Sequence, residues 1–167
     1  LGDPSNPSLD HPSSKVIDVP HHDGYAPFLD VYLSARCAFA VNQASGPEAL
    51  VRTFGRPALT VNLMLEHLRL PLVDDLLVFK HVRCGSGGDT LSYRQMLEAG
   101  LPAFGTSLQF EEVGLAVEEN SDEEIDAAVA EMIEHVANDP IARDATQDAF
   151  VKAGQTYTIQ GLFGRCR

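Results

Sequence analysis

Residues 38–61, AFAVNQASGPEALVRTFGRPALTV, constrain the fold more than any other stretch of the chain. An apolar run over 38–42 meets a small turn, an amphipathic segment covers 46–54, and a second apolar run follows Pro57. The pattern reads as strand, helix, strand, and a crossover helix commits its two strands to parallel pairing in one sheet. The helix start is marked by Ser45 as N-cap, Pro47 in the first turn and Glu48 in capping-box position, and Gly55 stops it.

A helix that begins behind a small turn offers unpaired N–H groups and the positive end of a dipole to an anion. Ser45, Gly46 and Glu48 are therefore candidate phosphate or ribose contacts, although Pro47 has no N–H and withdraws one donor. The competing reading is a capping box that only starts a helix.

With 167 residues and 44% hydrophobic content, the chain can bury one sizeable core. No apolar run approaches the roughly 18 residues that cross a bilayer, so no transmembrane segment is expected. The opening segment, residues 1–14, is rich in Pro and Ser and is expected to be extended; it lacks the basic and apolar regions of a signal peptide. Beginning at Leu1, the chain reads as part of a longer protein. Cys37, Cys84 and Cys166 are widely spaced with no CxxC, which fits reduced thiols in a cytoplasmic protein.

The net charge of −12 is local. Nine acids and no Lys or Arg lie between Glu118 and Asp139, while the remaining 15 acids face 12 bases. This segment reads as a solvated helix face, and the absence of a basic stripe argues against nucleic acid as a partner.

Further elements follow from periodicity. Strands are predicted over residues 15–19, 58–62, 76–82 and 114–117; helices over 28–35, 91–99, 121–136 and 144–153. Phe28, Leu29, Tyr32 and Leu33 are expected to share a helix face, and Ile125, Val129, Met132, Ile133 and Val136 form the stripe of the 121–136 helix, capped by Ser121 and Glu124. Strands alternating with helices point to a parallel sheet covered by helices, whose ligands bind beyond the carboxyl ends of the strands. Asn62 and Lys80 fall on that edge and join Ser45, Gly46 and Glu48 as candidate ligand contacts.

Other motifs carry less. Adjacent His21, His22 and Asp23 diverge in an extended segment and lack partners at metal-ligand spacing. Arg52 and Arg56 flank a helix end, where cations favour the dipole. The CGSGGD turn at 84–89 has neither the Lys-Ser/Thr of a P-loop nor GxGxxG.

The block FLDVYLSARCAFAVNQASGPEALVRTFGRPALTVN resembles a bacterial family of glycosyltransferases tied to surface-polysaccharide synthesis. The matching features are the aspartate-containing helix around Asp30, the Ser45-Gly46 turn, Phe54-Gly55-Arg56-Pro57 and Val61-Asn62. Scattered matches at Gly2-Asp3, Ile17-Asp18, Glu119-Asn120-Ser121, Glu123-Glu124-Ile125, Gln147 and Phe150 extend it over most of the chain. Where the family commonly has Ser-Ser-Gly-Leu, this chain has Ala44-Ser45-Gly46-Pro47.

The resemblance implies a GT-B enzyme, in which two Rossmann-like domains face each other and the C-terminal one binds a nucleotide-sugar donor with no metal cofactor. This chain resembles that C-terminal half, an α/β/α three-layer sandwich with a mainly parallel sheet. Residues 15–140 would form the donor domain and 141–167 a helix and tail packing on it. The partner implied is an N-terminal acceptor domain outside this sequence, working in the cytoplasm at the inner face of the membrane. No catalytic residue carries over. The alternatives are a non-catalytic α/β module, with the acidic helix meeting a basic partner, and another sugar-nucleotide enzyme such as an epimerase.

Overall fold

The structure, a computed structural model, describes residues 1, 3–65, 74–85, 87–138 and 144–154, together with the backbone of 165–166. Gly2, Ser86, Asp139 and most of the tail lie outside the described residues.

The predicted βαβ unit forms. Strand β1 (Ala40–Asn42) leads through Ser45 into helix α2 (Gly46–Thr53) and returns as β2 (Ala58–Leu63); helix α1 (Pro27–Arg36) precedes it. β1 and β2 are parallel with Ala40 opposite Ala58 and Asn42 opposite Thr60, and β2 is parallel to β3 (Leu76–Phe79). The short β6 (Arg165–Cys166) adds to the far side of β3, giving the order β1-β2-β3-β6. Gly55 takes the left-handed conformation that ends α2, as its position in the sequence requires.

Every residue of β2 is buried, the mark of a parallel strand covered on both faces. Leu59 and Val61 of β2 and Leu76 and Val78 of β3 pack against Ala128 and Met132 of helix α5 (Asp122–Ala137). Because successive side chains alternate, Ala58 and Thr60 take the opposite face, the side of the crossover helix α2 with its buried Val51. The architecture is thus mixed α/β around a parallel sheet. Among the described residues no helix is long and apolar enough to cross a membrane.

Four expectations need correction. The run 76–82 is two strands: β3 ends at Phe79, and β4 (His81–Cys84) pairs antiparallel with β5 (Leu115–Glu118) in a separate ribbon. Helices α3 (Tyr93–Glu98) and α4 (Ser107–Glu112) cover it, forming a second core of Leu65, Val82, Met96, Leu101 and Phe110. Residues 15–19 form no strand; a turn leads into a 3-10 helix, Val19–His21. Val16 and Ile17 are exposed there, so the apolar residues have no face to bury.

On α1, Leu29 and Leu33 turn inward beside Asp30 and Ser34, while Phe28 and Tyr32 are exposed and rest on each other with ring centroids 6.2 Å apart. On α5, small Ala128 brings the helix close to the sheet, so the buried line runs through Ala128, Met132 and His135. Ile133 and Val136 are left 53% and 37% exposed.

Helix α6 (Ala145–Gly154) carries Phe150 onto Tyr93 of α3 and Phe79 at the end of β3, with centroids 4.5 and 6.0 Å away. The Gly88 position at the ribbon end is dictated by space, because a Cβ there would lie 1.9 Å from the Cys84 carbonyl oxygen.

Met132 is fully buried between α5 and the sheet. Met132→Ala should cost about 2–5 kcal/mol in urea unfolding, the range for emptying a core position; a loss below about 1 kcal/mol would contradict this packing.

Candidate functional site

The carboxyl ends of β1, β2 and β3 form one edge, and the five sequence-derived candidates separate along it into two groups. Ser45, Gly46 and Glu48 sit at the β1 end. Asn62 and Lys80 sit at the β2 and β3 ends; of the five, Ser45 lines the cavity beside β1, while Gly46, Glu48, Asn62 and Lys80 do not.

That cavity, of about 530 Å³, lies between α1, β1 and the start of α2. Ser45 and Pro47 wall one side with Asn42 and Gln43, and Leu33, Arg36, Cys37 and Phe39 the other. The lining mixes apolar surface with a few polar groups, the usual make-up of a small-molecule site. The expected capping box on α2 does not form. Ser45 is extended (φ −156°, ψ 177°) and makes no side-chain cap bond, while the Glu48 carboxylate turns away along the helix to Arg52, 3.4 Å distant. Pro47 contributes here, since it stiffens the first turn and removes a donor that a cap could satisfy. The Ser45 hydroxyl, which makes no hydrogen bond among the described residues, therefore stands exposed beside the cavity.

Sequence reasoning missed Asn42, Gln43, Arg36 and Cys37. A signal was present for Asn42: it is the last residue of the predicted strand, where a polar side chain meets the ligand-bearing edge. Its Oδ1 accepts from the Thr60 hydroxyl at 3.2 Å.

Asn62 has a different task. It holds a left-handed backbone (φ 51°) at the end of β2, and it is engaged in a reciprocal pair with Asn120. Asn62 N–H donates to Asn120 Oδ1 at 2.7 Å, and Asn120 N–H donates to Asn62 Oδ1 at 2.6 Å. Asn120 Nδ2 then donates to the Phe79 carbonyl at 2.7 Å. Both asparagines are buried. One side chain thus joins the ends of β2 and β3 to the residue preceding the α5 N-cap, Ser121.

Lys80 pairs with Glu119 at 2.8 Å. Two more basic residues of the same stretch do likewise: His81 Nε2 contacts both Glu124 oxygens at 2.8 and 2.9 Å, and Arg83 pairs with Glu118. Part of the acidic segment is accordingly matched by bases from β4. The His81 bond, followed by the Ser121 backbone N–H, holds the Glu124 carboxyl below its ordinary value of 4.5. The α5 capping box forms as expected between Ser121 and Glu124.

The remaining motifs are structural. Arg52 lies 3.4 Å from the buried Asp75 carboxylate, whose other oxygen accepts from Ala58 N–H. Arg56 Nε donates to the Ala35 carbonyl at the end of α1. His21 bonds Asp18 at 2.9 Å, and Asp18 also accepts from Leu9 N–H and Ser8, which ties the opening segment down. Among the described residues no group of three His, Cys, Asp or Glu side chains gathers to hold a metal.

Three outcomes test this geometry. Ser45→Ala should leave stability within about 0.5 kcal/mol, the range for a surface change that removes no cap; a loss near 1 kcal/mol in thermal unfolding would restore the cap reading. Asn120→Ala strands the buried Asn62 N–H and Phe79 carbonyl, so it should cost about 2 kcal/mol or more by urea unfolding. The third is acid sensitivity. A folded pKa below the unfolded one means the unfolded state binds more protons, so Glu124 stabilises above 4.5 and that contribution is lost as pH falls through its lowered folded value. His81→Ala should flatten the fall of stability in that window; an unchanged pH profile of urea midpoints would contradict the pairing.

No protein-family model matches the chain, and no match is found among the curated proteins or the solved structures.

Proposed function

We propose that this chain is the nucleotide-sugar-binding domain of a glycosyltransferase of surface-carbohydrate synthesis, a Rossmann-like α/β/α unit akin to the C-terminal half of a GT-B enzyme. The observation that supports the reading best is the cavity at the carboxyl end of β1, with the uncapped Ser45 hydroxyl and the start of α2 on its wall. A diphosphate placed there would meet Ser45, the Gly46 and Glu48 N–H groups and the α2 dipole, with Arg36 as the nearby cation. Apolar Leu33 and Phe39 on the opposite wall suit a base or sugar face.

Asn62 and Lys80 belong to this reading in a supporting role, because their polar groups are already matched by Asn120 and Glu119. Transfer would then rest on stabilising the departing nucleotide diphosphate, with the acceptor and any base supplied by an N-terminal acceptor domain outside this sequence. The domain alone is expected to bind donor and transfer sugar poorly.

Calorimetry of the chain against UDP-, GDP-, ADP- and CMP-sugars at millimolar concentration tests this. One of the four should give saturable heat that Ser45→Ala reduces. No heat above dilution from any of them would overturn donor binding.

A further inference from the structure

The antiparallel ribbon leaves the outer edge of β5 open, and a groove runs along it. Pairing with β4 uses alternate residues of β5: Gly85 N–H donates to the Gly114 carbonyl at 2.8 Å, and the register sets Arg83 opposite Ala116 and His81 opposite Glu118. The intervening residues of β4 point the other way, since the Val82 carbonyl accepts from Leu91 N–H and Cys84 N–H donates to the Asp89 carbonyl. By the same alternation the backbone N–H and carbonyl groups of Leu115 and Val117 point away from β4. These groups have no hydrogen-bond partner among the described residues. The groove, of about 520 Å³, has Phe110 and Glu111 of α4 on one wall and Leu115, Ala116 and Val117 on the other. Successive strand side chains lie on opposite faces, so a groove that touches all three of these follows the strand edge and not one face of the ribbon.

We infer that this groove docks an extended, basic peptide segment of a partner protein, which adds a third strand to the ribbon along β5. A row of unpaired N–H and carbonyl groups is a template for another strand, and strand addition at an open sheet edge is a recurring mode of peptide recognition. Charge selects the occupant. Glu111 on the helix wall and its neighbour Glu112 are exposed and have no ion-pair partner among the described residues. A second copy of this chain, of net charge −12, would set these acids against their own counterparts, whereas Lys or Arg side chains neutralise them. The outward groups of Leu115 and Val117 hold the peptide backbone, and Glu111 selects the sign of its side chains. The groove shares no lining residue with the cavity beside β1, so this inference does not rest on nucleotide binding.

The test titrates the chain with a fluorescein-labelled peptide, Lys-Val-Lys-Val-Lys-Val-Lys, and with its counterpart in which Glu replaces Lys, at about 0.15 M salt. The basic peptide should give saturable anisotropy and the acidic one none. Amide exchange at Leu115 and Val117, followed by NMR, should slow about tenfold or more in the complex. Val117→Pro removes an outward N–H and spares the bonds to β4, a placement that an edge strand tolerates; it should weaken binding about fivefold or more. Glu111→Lys should weaken it about threefold or more. Circular dichroism melts check that each variant is folded, and Glu111→Lys carries the test where Val117→Pro is not. Failure of the basic peptide to saturate, or equal binding of the acidic one, would overturn the inference. So would binding that leaves exchange at Leu115 and Val117 unchanged, or a folded variant that binds within about twofold of wild type. A dimer in sedimentation that Val117→Pro splits would overturn it in favour of a second copy.

Discussion

The reciprocal bond between Asn62 and Asn120 is the constraint on which the arrangement of this fold depends. Parallel strands leave their carboxyl ends as open backbone, and each buried N–H or carbonyl there needs a partner. Asn120 supplies two at once, accepting from Asn62 and donating to Phe79. The left-handed turn at Asn62 suits a residue whose short amide can fold back and bond locally, which is why asparagine tolerates it better than a branched residue. The pair also sets where α5 begins, and with it the packing of Ala128 and Met132 on the sheet.

From the same point the chain turns out of the sheet. After Phe79 the next strand joins β5 in an antiparallel ribbon, and Lys80, His81 and Arg83 meet Glu119, Glu124 and Glu118. The pairs are largely exposed, so each contributes little to stability on its own. Their value lies in register: they match the basic stretch of β4 to the acids that surround the start of α5. The local excess of acid in the sequence is in part the complement of this stretch.

Much of the fold was legible. The βαβ unit around α2, the stop at Gly55 and the capped start of α5 carry local signals, since turn chemistry and capping act within a few residues. What was hidden depended on distant partners. The split at Lys80 follows from Asn120 and Leu63 taking the backbone groups around it, and those contacts span many residues. The exposure of Ile133 and Val136 depends on which side of α5 meets the sheet. For the site, Ser45 and Gly46 could be placed at the carboxyl edge from the helix start alone. The engagement of Asn62 could not, because it requires knowing that residue 120 lies opposite. The bond of Asn42 to Thr60 was equally out of reach, because it exists only once β1 and β2 are paired.

Binding of a nucleotide diphosphate at the β1 end of the edge is tested most directly by following backbone amides by NMR during titration with UDP-, GDP-, ADP- and CMP-sugars. Donor binding at this place predicts saturable shifts centred on residues 42–48, Pro47 excepted, with little change along the outer face of α5. Shifts confined to the acidic face of α5, or to the ribbon, with residues 42–48 unmoved, would contradict it.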